Sequence, residues 1–157
     1  MIEGVENKKL KILTDERGWL MEILRSDDKI FQKFGQVYIT AAKKDIVKAW
    51  HYHKNQDDYF VCVFGKALVV LFDNRKNSST FGQVEEYILK SPPNSDAILL
   101  KIPAGVVHGF TPFECDEVRI VNIPTKTYNR ENPDELRYPW NSPEIPYKWP
   151  GNVKKGG

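Results

Sequence analysis

The stretch Tyr59-Phe-Val-Cys-Val-Phe-Gly-Lys-Ala-Leu-Val-Val-Leu-Phe72 narrows the possible folds more than any other part of this chain. Two runs of aromatic and β-branched residues flank Gly65-Lys66, and each run has the length of a strand rather than a helix. Apolarity is continuous along both runs instead of alternating, so each strand is expected to be covered on both faces. Glycine at the first central position suits a type II′ turn. The spacing therefore predicts a two-stranded hairpin.

Segments of similar character lie on either side. Leu10–Leu13 and Trp19–Leu24 flank the turn Asp15-Glu-Arg-Gly18, and Gln36–Thr40 reads as a strand. Val84–Leu89, Ala97–Ile102 and Val118–Ile123 follow, punctuated by turn-rich stretches at Asp73–Gly82 and Ser91–Asp96. Asp27–Phe34 is the one place before the C-terminus where a short helical turn is expected. Roughly six to nine short strands with little helix argue for an all-β sandwich or barrel. With no repeat or composition break, residues 1–157 are expected to form one domain. Its strand core runs from about 10 to 123, followed by an irregular, proline-rich tail at 124–157. Trp140 and Trp149 in that tail imply that it packs on something.

Charge removes some partners. The 157 residues include 23 basic and 21 acidic ones, a net charge of +2, and the Lys-Lys pairs are scattered. No basic patch forms, which argues against nucleic acid. No apolar run approaches the ~20 residues of a membrane span, and the first residues lack the pattern of a secretion signal. The two cysteines, Cys62 and Cys115, do not suggest a disulfide framework. The expectation is a cytoplasmic protein with a small-molecule partner.

All three histidines fall in two short motifs. His51 and His53 lie two apart in Lys48-Ala-Trp-His-Tyr-His53, a spacing that puts both on one face of a strand. Asp58 and Gly65 follow, and His108 stands in Ile102-Pro-Ala-Gly-Val-Val-His-Gly-Phe110. His51-x-His53-x4-Asp58-x6-Gly65 with Pro103-x-Gly105-x2-His108 resembles the paired motifs of the cupins, with Asp58 in place of the usual Glu and Pro112 in place of the closing Asn. The implied fold is an all-β cupin jelly-roll barrel or sandwich with little helix.

A narrower resemblance spans nearly the whole chain. Asp15-Glu-Arg-Gly-Trp-Leu-Met-Glu22, Gln36, Lys48-Ala-Trp-His51, Asp73-x-Arg75-x-x-Ser78-x-Thr80-Phe-Gly82, Ile102–Phe110, Tyr128 and Trp140-Asn141 occur in the order of their counterparts in the nucleotide-sugar 3,5-epimerases acting on dTDP-4-dehydro-6-deoxyglucose. That resemblance implies a cytoplasmic homodimer whose N-terminal strand crosses to its partner. It implies an isomerase of a nucleotide-linked 4-keto-6-deoxy sugar, working without a cofactor. His51 would be the base, and Arg17, Glu22, Gln36, Lys48 and His108 candidate substrate contacts. For Arg17 a salt bridge within its turn is the competing reading.

Several departures bear on the chemistry. Epimerisation beside a ketone needs a base, a stabiliser for the enolate and an acid on the opposite face. The family's acid tyrosine falls at Asn122, leaving Tyr128 as a candidate replacement, and its enolate-stabilising lysine falls at Asp58. Lys48 stands where the family carries arginine, and the residues after Trp149 contain no aspartate to pair with the base. His51, His53, Asp58 and His108 together make a possible three-nitrogen, one-oxygen set for a divalent transition metal. A metal-bound His51 could not also be the base at the same nitrogen. Three readings follow: an epimerase-like isomerase, a metal-dependent cupin enzyme, or a sugar-nucleotide binding protein without turnover.

Overall fold

The computed structural model describes residues 1–94 and 96–157. Two sheets face each other. The first has the order β1 (Glu6–Lys9), β9 (Ile98–Ile102), β6 (Asp58–Phe64), β11 (Glu117–Asn122) and β4 (Tyr38–Lys43). The second runs β12 (Leu136–Arg137), β5 (Ile46–Tyr52), β10 (Val106–Pro112), β7 (Lys66–Asp73) and β8 (Val84–Lys90), with β13 (Lys155–Gly156) parallel to β5. A separate hairpin joins β2 (Ile12–Asp15) and β3 (Gly18–Met21) through the turn at Glu16-Arg17.

The all-β sandwich agrees with the sequence, but the hairpin at Gly65 does not form. β6 pairs with β9 and β11, whereas β7 pairs with β10 and β8. Gly65 is thus a corner at which the chain passes from one sheet to the other. Its φ of +73° lies in the left-handed region, and a β-carbon there would overlap the Glu117 carbonyl oxygen.

The doubly apolar character of the two runs has a direct cause. Along β7, Ala67, Val69 and Leu71 enter the core between the sheets, while Leu68, Val70 and Phe72 join a second cluster on the outer face. β6 divides likewise, Phe60 and Cys62 inward, Tyr59 and Val61 outward. Fully burying a Val, Leu or Phe side chain contributes about 1.5–3 kcal/mol, so both faces hold the strand.

Each outer face is covered by a terminal segment. Leu10 and Ile30, with Ile12, Met21, Ile23 and Leu24, lie over β6 and β9. Ile145 and Trp149 pack on Val47, Trp50 and Val70 of the other sheet. The tail therefore does pack, and it also contributes β12 and β13 on β5. At the other end, β1 pairs with β9, so regular pairing begins before residue 10. The helix expected at Asp27–Phe34 is replaced by turns, with Asp28 and Phe31 amides donating to Arg25 and Asp28 carbonyls, and the described residues contain no helix. Ser95, within the loop expected at Ser91–Asp96, lies outside the described residues. Cys62 and Cys115 are free thiols.

Candidate active site

The site is built on β5 and the strands facing it. His51 pairs with His108 of β10, and Lys48 pairs with Phe110, so three residues of β5 span what two residues of β10 span. This bulge turns the adjacent Ala49 and Trp50 outward into the tail-covered cluster. Lys48 and His51, three residues apart, consequently line the same inner chamber. His53 lines it as well.

Tyr38 and Thr40 enter the chamber from β4 of the opposite sheet, with Phe60 and Phe110 below them and Glu135 and Arg137 of the tail at the mouth. Thr40 Oγ1 accepts a hydrogen bond of 2.7 Å from Lys48 Nζ. Among the described residues Lys48 has no carboxylate within ion-pair distance, so its charge is available to a ligand. Arg137 is paired with Glu135 at 2.5 Å. Burial, with the neighbouring His108 ring, holds the His51 imidazole well below its ordinary pKa, so it is neutral at pH 7. The two rings have centroids 4.2 Å apart.

Behind this chamber sits a fixed trio. Asp58 Oδ2 lies 3.2 Å from His53 Nε2 and 3.3 Å from His108 Nε2. His53 Nδ1 faces the Asp134 carbonyl oxygen, and His108 Nδ1 faces that of Val106 at 3.0 Å. With each Nδ1 set against a carbonyl oxygen, a neutral ring presents its Nε2 lone pair to the carboxylate and a protonated ring donates Nε2–H to it. Asp58 Oδ2 and His108 Nε2 have no well-directed hydrogen bond. Burial pulls the Asp58 carboxyl up, but the His108 and His53 rings more than offset it and keep Asp58 ionised. For His53, burial pulls the pKa down and Asp58 reverses the balance, raising it. The donor atoms of His53, Asp58 and His108 lie within 4.8 Å of one another. His51, expected as a fourth ligand, is outside this group.

The structure separates the remaining expected residues. Gln36 and Tyr128 line an outer compartment with Lys126, Asn129 and Asn132, and Gln36 Oε1 accepts from the Tyr128 amide at 3.1 Å. Tyr38, His53 and Glu135 line both compartments, so the two adjoin. Arg17 and Glu22 are elsewhere. Arg17 is paired with Asp15 at 2.5 Å on the exposed β2–β3 hairpin, and Glu22 with Arg25 at 2.9 Å. The sequence reading missed Tyr38, Glu135 and Arg137. Only the position of Tyr38 two residues after Gln36, on the same face of a strand, could have pointed to it.

The whole-chain comparisons bear on the family and the fold. Residues 1–155 match the profile of the family described as dTDP-4-dehydrorhamnose 3,5-epimerase. The chain belongs to this family. Among curated relatives, the spore coat polysaccharide biosynthesis protein SpsL of Bacillus subtilis is 37% identical over 149 residues, covering 95% of this chain and 97% of SpsL. The "Probable low-salt glycan biosynthesis epimerase Agl13" of Haloferax volcanii is 32% identical over 154 residues, covering 97% of each. The crystal structure of a dTDP sugar isomerase from Desulfovibrio desulfuricans superposes with a TM-score of 0.86 at 30% identity, over 94% of this chain and 92% of that one.

Membership fixes the cupin-like jelly-roll fold and makes the protein an enzyme of the nucleotide-sugar epimerase and isomerase class. Among the described residues no helix is long and apolar enough to cross a membrane.

Proposed function

We propose that the protein epimerises a nucleotide-linked 4-keto-6-deoxy sugar of the dTDP-4-dehydrorhamnose type, supplying a deoxysugar for a polysaccharide or glycan. The observation that carries this is His51, held neutral in the chamber wall, with the unpaired ammonium of Lys48 on the same wall. The neutral imidazole removes a proton from the carbon beside the C4 ketone. Electron density moves into the carbonyl, and Lys48 stabilises the resulting enolate oxygen. The inner chamber, about 180 Å³, is scaled to the sugar, and the adjoining compartment of about 590 Å³ with Tyr128, Gln36 and Lys126 takes the nucleotide.

A homodimer fits the surface. Leu13, Trp19 and Leu20 on the β2–β3 hairpin are half exposed, as are Ile39 and Phe64 on the outer face of the first sheet. The free thiols suit a reducing, cytoplasmic setting.

The test is incubation with dTDP-4-dehydro-6-deoxyglucose in deuterated water. Deuterium at C3 or C5, abolished by His51→Asn, supports the reading; no exchange in the unmodified protein, beside an active control enzyme, rejects it for this substrate.

One observation favours a second feature of the same site. Nε2 of His53, Nε2 of His108 and the ionised Asp58 carboxylate, once the rings are neutral, make the donor set a divalent transition metal takes, two imidazoles and a carboxylate. Bound there, the ion would supply positive charge next to the chamber, the role of the family's lysine at position 58. Because the trio excludes His51, the base stays free with or without metal. Elemental analysis of protein purified without tag or chelator tests this: stoichiometric metal that His53→Ala removes and His51→Asn retains is the expected result, and metal indifferent to His53→Ala rejects it.

A further inference from the structure

Resting on the epimerase reading above, we infer that Tyr38 is the proton donor that serves the face of the sugar opposite His51. The two side chains line one chamber from different sheets, His51 from β5 and Tyr38 from β4, so a sugar between them has one on each side. The hydrogen-bond arrangement identifies which proton is free. Asn122, which stands where the family's acid tyrosine is expected, is fully buried. Its Oδ1 accepts from the Tyr59 amide at 3.2 Å, which fixes the orientation of the side-chain amide. Its Nδ2 is thereby turned toward Tyr38 and donates to the phenol oxygen at 2.9 Å. The Tyr38 oxygen is an acceptor in that bond, so its own O–H remains to be given into the chamber.

The same contact serves the product side of the step. When the enolate carbon takes the phenol proton, the electron pair of the O–H bond stays on oxygen, and the Asn122 N–H then faces a phenolate, a charge-assisted hydrogen bond. The phenolate regains a proton from water, and His51 releases to water the proton it removed. No oxidant or reductant is needed. Burial, with Asp58 nearby, pushes the Tyr38 phenol up to about 12, so it carries its proton throughout the neutral range. Asn122 then positions the donor rather than acting itself, which accounts for an amide occupying the place of an acid. Tyr128 lies in the outer compartment and is left to the nucleotide.

The experiment compares unmodified enzyme, Tyr38→Phe and His51→Asn, full-length, with dTDP-4-dehydro-6-deoxyglucose in deuterated water. It reads deuterium exchange and inverted product separately. The expected result for Tyr38→Phe is continued exchange, with His51 returning deuterium to the face it deprotonates. Inversion falls about 100-fold or more in kcat, with KM within about threefold of the unmodified enzyme and an unchanged melting temperature. His51→Asn loses both exchange and inversion. Inversion by Tyr38→Phe at close to the unmodified rate overturns the assignment, as does a parallel loss of exchange and inversion. An unmodified enzyme that neither exchanges nor inverts rejects instead the epimerase reading on which the assignment rests.

Discussion

Lys48 and His51 are separated by an odd number of positions on one strand and nevertheless face the same chamber, because the bulge against His108 and Phe110 absorbs the extra residue. In an unbroken strand they would point to opposite faces. The arrangement is locked from behind by Gly109, where a β-carbon would overlap the Ala49 side chain and press on the Lys48 carbonyl oxygen at 2.9 Å.

Gly109→Ala is accordingly expected to cost about 1–3 kcal/mol of stability and to lower kcat by displacing Lys48 and His51 together. Urea denaturation measured alongside steady-state kinetics checks both effects. A variant of full stability and full activity would show that the bulge tolerates movement.

Lys48→Met removes the ammonium while keeping most of the side chain's bulk. Loss of one enolate-stabilising group is expected to lower kcat by about 100- to 1000-fold with little change in melting temperature. Lys48→Arg should restore part of the rate, since the charge returns on a different geometry. Kinetics of both variants decide whether charge or packing matters.

Acid stability rests on Asp73. Its buried carboxylate accepts from Arg75 Nε at 2.8 Å, Ser78 Oγ at 2.6 Å and Thr80 Oγ1 at 2.6 Å. Burial alone would raise the carboxyl pKa, but these donors outweigh it and hold it well below the usual range. A depressed carboxyl contributes stability that is fully present above the unfolded-state value of about 3.9 and is lost as pH falls toward the folded value. Asp73→Asn should therefore lose about 2–4 kcal/mol at pH 7 and show a flatter decline between about pH 5 and pH 3. Urea unfolding at several pH values measures it.

For the proposed dimer, Leu20→Glu places a charge on the exposed hairpin, where Leu20 is 56% accessible. Light scattering is expected to show a mass shift from dimer toward monomer, with the melting temperature of the monomer close to that of the unmodified chain. An unchanged mass would move the interface elsewhere.

Much of this was readable from residue order. The β-rich segments, the outer cover implied by Trp140 and Trp149, and the histidine motifs all reflect local preferences or fixed spacings. The corner at Gly65 was not readable, because a glycine between two apolar runs serves a hairpin and a sheet crossing equally well; pairing partners far along the chain decide. The bulge was hidden for a similar reason, since His51 and His53 share a face with or without it. Tyr38 reads locally as one more aromatic residue in a strand, and its contact with Asn122 spans 84 positions. Arg17 illustrates the reverse: its motif was plain, yet among the described residues of one chain it pairs only with its own turn.

The tail's grip on β5 carries a consequence for timing. β12 and β13 pair with β5, the Asp134 carbonyl orients His53, and the Gly157 amide donates to Val47. During synthesis, a nascent chain therefore holds its histidines long before their chamber is complete, and that wall closes only when residues 134–157 arrive. A protease that trims those residues from the finished enzyme would undo the same last step, releasing the His53 ring and baring the apolar outer face of β5 and β7 that Ile145 and Trp149 cover.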